Sequence, residues 1–143
     1  MEVSVRSSAS GAPSEAWTRC RVGQIARAAG SKAREVSVLF CGDARMRSLN
    51  RRFRGKDRTT DVLAFPAEDN GGFLGDIAIS VPYASRQARR AGDPPRREID
   101  RLLLHGVLHL IGYDHETDNG EMDALEAKLR SRLGLRDGRG ESR

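Results

Sequence analysis

Ile99-Asp100-Arg101-Leu102-Leu103-Leu104-His105-Gly106-Val107-Leu108-His109-Leu110-Ile111-Gly112-Tyr113-Asp114-His115 decides how this chain folds. Read as a helix from Ile99 to Ile111, it is apolar around most of its circumference, and a helix of that kind must lie at the centre of the domain. Every histidine of the chain falls in this stretch. Positions four apart share a helix face, so His105 and His109 can aim two imidazoles at one point. Gly112 then ends the helix, because glycine takes the left-handed conformation without a Cβ penalty, and the reversal brings His115 back to the first two. Three imidazoles around one ion leave a fourth position for water, the arrangement of a catalytic zinc; structural zinc sites close all four positions with Cys-rich sets. A lone histidine on an apolar helix is ordinarily a satisfied core residue, but three at this spacing, with glycine at the reversal, favour the metal site. Asp114 has two readings of equal weight. Its carboxylate can orient a ligating imidazole from behind, or it can cap the turn that follows.

The length of 143 residues suits one domain that buries a core without disulfide help. Cys20 and Cys41 lack CxxC spacing and read as buried small apolar residues in a reducing compartment, which places the expectation in the cytoplasm. Residues 1–12 lack the apolar run of a signal peptide, and nowhere do about eighteen apolar residues follow one another, so no membrane span is expected. The formal charge is +5, carried mainly by arginine. The planar arginine fork pairs with phosphate oxygens, which points toward nucleic acid. The distribution says more than the total. Arg45, Arg47, Arg51, Arg52, Arg54, Lys56 and Arg58 crowd one segment, and Arg86, Arg89, Arg90, Arg96 and Arg97 another. With Gly55 and Asp57 inside it, the stretch 51–58 reads as a loop rather than a solvated helix face.

Residues 2–6 alternate as a short strand, and 7–13 form a small-residue connection. A helix from Ser14 uses Trp17, Val22, Ile25, Ala26 and Ala29 and closes at Gly30. Residues 35–40 are a strand. Gly42-Asp43 supplies a turn and cap for a helix over 44–53. Residues 61–65 are a strand ended by Pro66, and Asn70-Gly71-Gly72 is the turn to a second strand from 73 or 74 to 81, making a hairpin. A short helix covers 83–91, Gly92-Asp93-Pro94-Pro95 breaks the chain, and Arg96 or Arg97 starts the histidine helix. A last amphipathic helix over 119–133 uses Met122, Leu125, Leu129 and Leu133 and stops at Gly134. Residues 136–143 read as a polar, disordered tail.

Three motifs, in order, carry a resemblance: the loop-strand Phe53-Arg54-Gly55-Lys56-Asp57-Arg58-Thr59-Thr60-Asp61-Val62-Leu63-Ala64-Phe65-Pro66, then Leu74-Gly75-Asp76-Ile77-Ala78-Ile79-Ser80, then the histidine stretch from His105 to His115. Over residues 35–134 the chain resembles the bacterial endoribonuclease YbeY family; before that it matches only in pattern. The resemblance implies a single-domain, zincin-like α+β fold, a small mixed four-stranded sheet packed with helices around the histidine helix. It implies one zinc on His105, His109 and His115, and it places the family's functionally required arginine on Arg54. It implies a metal-dependent endoribonuclease that acts on single-stranded RNA in maturation of the 3′ end of 16S ribosomal RNA and in ribosome quality control, with the small ribosomal subunit or its proteins as partners and no DNA or membrane. Ala64 stands where many members have serine, a change of packing rather than chemistry.

The spacing of the histidines is also that of metzincin proteases, which carry glutamate directly after the first histidine as the general base. Here that position is Gly106. Phosphodiester hydrolysis asks less of the protein, since zinc lowers the pKa of water to about 7 and polarises a phosphoryl oxygen. On this reading His105 and Arg54 are catalytic, Arg54 by stabilising charge on the phosphoryl oxygens. Arg51, Arg52, Lys56 and Arg58 would hold RNA backbone. Phe53, Phe73 and Tyr113 could each stack a base, with core packing favoured for both phenylalanines. Asp114, Tyr113 and Asp61 are candidates for the general base. A zinc-stabilised ribosome-binding factor without enzymatic activity is the competing class.

Overall fold

A computed structural model describes residues 1–68, 72–114 and 116–135. The chain runs β1 (Glu2–Ser7), α1 (Glu15–Ala28), β2 (Glu35–Cys41), α2 (Asp43–Arg54), β3 (Val62–Pro66), β4 (Phe73–Ser80), α3 (Val81–Ala91), α4 (Pro95–Ile111) and α5 (Glu121–Leu133). The strands form one mixed sheet in the order β1-β2-β4-β3. β1, β2 and β4 are parallel, with Val3 opposite Val36 and Phe40 opposite Ile79. β3 returns antiparallel on β4 at the edge, with Ala64 opposite Ile77, so the hairpin expected from sequence is present. Its expected turn residues Asn70 and Gly71 lie outside the described residues, as does the tail from Arg136.

Successive side chains on a strand face opposite ways, and that alternation separates two cores. Val36, Val38, Phe40, Ile77, Ile79 and Ala64 face α1 and α4, where they join Val22, Ile25, Leu103, Leu104, Val107 and Leu108 in one buried cluster. On the other face Cys41, Leu63 and Ala78 meet Met46 of α2 in a much smaller one, with Leu49 of the same helix packed against it. The histidine helix is central, as its apolar circumference demands.

Several boundaries differ from the sequence expectation, each for a local reason. α2 continues through Arg54 and is stopped by Gly55 at φ 71°, so Arg51, Arg52 and Arg54 stand on a helix and not in a loop. Asp43 is not the cap of that helix; Gly42 is, and the Asp43 carboxylate instead accepts from Ser80 Oγ at 2.8 Å and Thr59 Oγ1 at 3.2 Å and pairs with Arg86 at 2.9 Å. Ser80 ends β4 and caps α3 by accepting from the Tyr83 amide, so Val81 is helical rather than the last strand residue. α4 begins at Pro95, since proline in the first turn has no N–H to waste. α5 begins at Glu121, because Asp118 accepts from the amides of Gly120 and Met122. Cys41 is buried, but Cys20 is exposed: α1 buries the stripe of Thr18, Val22, Ile25 and Ala26, and Cys20 lies off that stripe.

Candidate functional site

α4 lies on one face of the sheet and α2 on the other, and both approach the edge strand β3. Between them is a cleft of about 220 Å³ whose walls include Arg54 and Asn50 from α2, Ala64 from β3, and His105 and His109 from α4. Lys56 and Arg58 of the intervening loop line the same cleft. A second, wider opening shares Arg54, His105 and His109 and extends to Tyr113, Asp114 and Glu116. The one-turn spacing on α4 puts the two imidazoles side by side, ring centroids 4.6 Å apart and tilted by 67°. His115 lies outside the described residues, and among those described no three metal-binding side chains converge.

The imidazole of His105 is held from behind. Its Nδ1 is 2.9 Å from Oε2 of Glu126, a buried carboxylate on α5. An ionised carboxylate only accepts, so Nδ1 is the donor in this pair and Nε2 is the ring nitrogen left for another partner. That is how ligating imidazoles are ordinarily oriented. The donor chemistry therefore fits a metal: two adjacent imidazoles in a polar cleft, one with its tautomer fixed. Sequence reading missed Glu126, which sits among ordinary helix-face charges of α5 and shows its role only once α5 packs on α4. Asp114 accepts from the Glu116 amide at 3.0 Å across the turn, which is the capping contact.

Arg54 is positioned by β3. Its Nη2 donates to the Ala64 carbonyl at 2.8 Å, and its guanidinium stands 5.6 Å from the centre of the Phe65 ring. The loop after α2 is folded by its own polar groups. Asn50 Nδ2 donates to the Arg58 carbonyl, and Arg47 makes two bonds to Asp57 at 2.8 and 3.2 Å. Arg47 holds the Asp57 carboxyl below the usual aspartate range. Of the four cations expected to hold RNA, Lys56 and Arg58 line the cleft. Arg51 and Arg52 stand on the exposed outer side of α2, Arg51 at 4.0 Å from Asp57. Phe53, expected in the core, is 55% exposed, because α2 buries only Met46 and Asn50. Phe73 and Tyr113 are half-buried. The Asp61 carboxylate is taken up by the Val62 amide and by Gln87, the latter also bonded to Glu98, so it braces the start of β3.

Gly106 faces the sheet. A Cβ placed there would come within 3.0 to 3.3 Å of three side-chain atoms of Ile77, so the position of the metzincin glutamate is packed against β4.

The sequence profile described as Endoribonuclease YbeY matches residues 9–134. Curated relatives of that name include a Solibacter usitatus protein, 54% identical over 68% of this chain and 65% of its own length. Another, from Koribacter versatilis, is 52% identical over 77% of this chain and 72% of that one. A third, from an Anaeromyxobacter species, is 45% identical over 82% and 64%. The chain thus matches about two thirds of the length of these proteins. The solution structure of a Thermotoga maritima protein shares the fold, with a TM-score of 0.61 at 24% identity over 98% of this chain and 99% of that one.

Proposed function

This chain belongs to the YbeY family of endoribonucleases, and from that premise we propose that it is a zinc-dependent endoribonuclease that cleaves single-stranded RNA. The observation that carries the reading is the meeting of Arg54 with His105 and His109 in one cleft rimmed by Lys56 and Arg58. His105 and His109, with His115, are the residues that would hold the metal. When bound, zinc supplies a Lewis acid that lowers the pKa of water to about 7 and polarises a phosphoryl oxygen.

The chain's own groups do the rest. Glu126 holds the His105 tautomer. Arg54, tethered by one N–H to the Ala64 carbonyl, has other guanidinium donors left for the phosphoryl oxygens on which charge develops. Lys56 and Arg58 hold the neighbouring phosphates, which positions the strand without reading its sequence. Maturation of the 3′ end of 16S ribosomal RNA and quality control of the small subunit in the cytoplasm are the process this activity would serve, and that assignment rests on family membership. No helix of the described residues is long and apolar enough to cross a membrane.

The test is cleavage of single-stranded RNA by purified protein, with and without His109→Ala, compared at equal folded fraction because a metal-site change can also unfold a domain. Loss of cleavage in the folded variant supports the reading. Equal cleavage would remove His109 from the activity, whereas none by the wild type while it still binds RNA would turn the reading toward a ribosome-binding factor.

A further inference from the structure

The face of the sheet opposite α4 is only half covered. α2 shields its β3 side, and beyond α2 a groove of about 490 Å³ runs over β1, β2 and β4. Arg6 of β1 and Arg45 of α2 stand on its walls, Ser37 and Leu39 on its floor, and Phe53 and Phe65 at one end. Among the described residues that line it, Asp76 is the one acid. Phe53 and Met1 are the large apolar side chains left exposed among the described residues.

This groove is joined to the histidine cleft. Adjacent residues of β3 face opposite ways, so Ala64 lines the cleft while Phe65 lines the groove. The Phe53 and Phe65 rings are 5.3 Å apart, and Arg54, a wall of the cleft, stands over Phe65. β3 is the edge of the sheet, so a chain leaving the cleft can pass around it from one face to the other.

We propose that single-stranded RNA held in the histidine cleft continues around β3 into this groove, with one base stacked on Phe53 and backbone phosphates on Arg6 and Arg45. The inference rests on the RNA reading of the cleft given above. Its chemistry favours a nucleic-acid strand over a folded protein. A strand brings regularly spaced phosphates to guanidinium groups on both walls, and an exposed phenyl ring stacks any base. Arg52, whose guanidinium lies 5.3 Å from the centre of the Phe53 ring, meets the phosphate next to the stacked base. The groove lengthens the footprint beyond the scissile bond, so the protein prefers long unpaired segments to short ones without reading their sequence.

The experiment compares equilibrium binding of oligouridylates of about 4 and about 16 nucleotides to the full chain. Wild type and the variant Arg6→Ser/Arg45→Ser/Phe53→Ala are measured over a range of salt. For the wild type the long ligand binds more tightly than the short one. In the variant the ratio of the two affinities falls roughly 10- to 100-fold, from the lost stacking and phosphate contacts. The salt slope for the long ligand flattens by about 1.4, the share of two phosphates on a single strand. Melting temperatures verify folding, and Arg6→Ser/Arg45→Ser alone, which leaves the ring pair intact, must show the same change in slope. A variant that keeps the wild-type ratio and slope overturns the groove as the path and leaves the cleft standing. Failure of the wild type to bind either ligand would instead remove the RNA reading itself, and the groove with it.

Discussion

The two faces of the sheet differ in how completely they are sealed. On the α4 face Val36, Val38, Phe40, Leu103, Leu104, Val107 and Leu108 are wholly buried. On the α2 face Cys41 and Met46 reach that state, Leu63 and Ala78 keep slight exposure, and Leu39, Leu49 and Phe65 are half-covered around them. The cause is in the two helices. α4 is apolar on most sides and can bury itself, whereas α2 carries Arg45, Arg47, Arg51, Arg52 and Arg54 and must leave most of its surface in water. One face supplies stability and the other supplies cationic surface. The cleft lies at β3, where residues from both faces can reach one substrate.

The largest expected effect falls at Gly75, where β4 packs against both β3 and α4. Gly75 has φ 142°, and a Cβ there would sit 2.4 Å from the Phe65 carbonyl oxygen and 2.8 Å from Leu110. Gly75→Ala should cost more than about 4 kcal/mol or abolish folding, checked by denaturant unfolding. A mild effect would mean the β3–β4 edge yields easily. The contrast between faces is sharpened by a matched pair of truncations. Leu104→Ala should cost about 2–5 kcal/mol and Leu49→Ala less than about 1.5 kcal/mol. Equal losses would break the comparison.

Glu126 reaches the site from the sealed side. Glu126→Gln should lower zinc affinity by about tenfold to a hundredfold, read by competition with a chromophoric chelator. Unchanged affinity would leave Glu126 as packing alone.

The smallest effect concerns Asp43, which ties the start of α2 to Ser80 and Arg86. Its hydrogen bond to Arg86 holds its carboxyl below the ordinary aspartate range, helped by Ser80 and Thr59. A depressed folded-state pKa stabilises above the unfolded value and is lost as pH falls through the folded one. The melting temperature of the wild type should therefore exceed that of Asp43→Asn at neutral pH, and the gap should close below about pH 4. A gap that persists in acid would assign the difference to packing.

Much of this was legible in the chain. The histidine helix announced its own centrality, and β3 and β4 followed from their apolar runs and the turn residues between them. What escaped needed the tertiary fold. Nothing in a helical run of Arg51, Arg52 and Arg54 separates a solvated face from a loop until Gly55 is seen to stop the helix. Glu126 is one acid among several on α5, and its distance from His105 in sequence hides a contact of 2.9 Å. Phe53 read as core because aromatic residues usually are, and its exposure follows from α2 burying a different stripe.

The most direct test of the cleft concerns Arg54, which joins the basic face to the histidines. Single-turnover cleavage, RNA affinity and melting temperature should be measured for wild type and Arg54→Lys on the same preparations. The lysine keeps the charge but cannot reproduce the guanidinium fork. The predicted result is a loss of rate on the order of a hundredfold to a thousandfold at saturating RNA, with affinity and melting temperature largely retained. Unchanged cleavage would contradict a catalytic Arg54, and a parallel fall in melting temperature and affinity would assign it instead to bracing β3 through the Ala64 carbonyl.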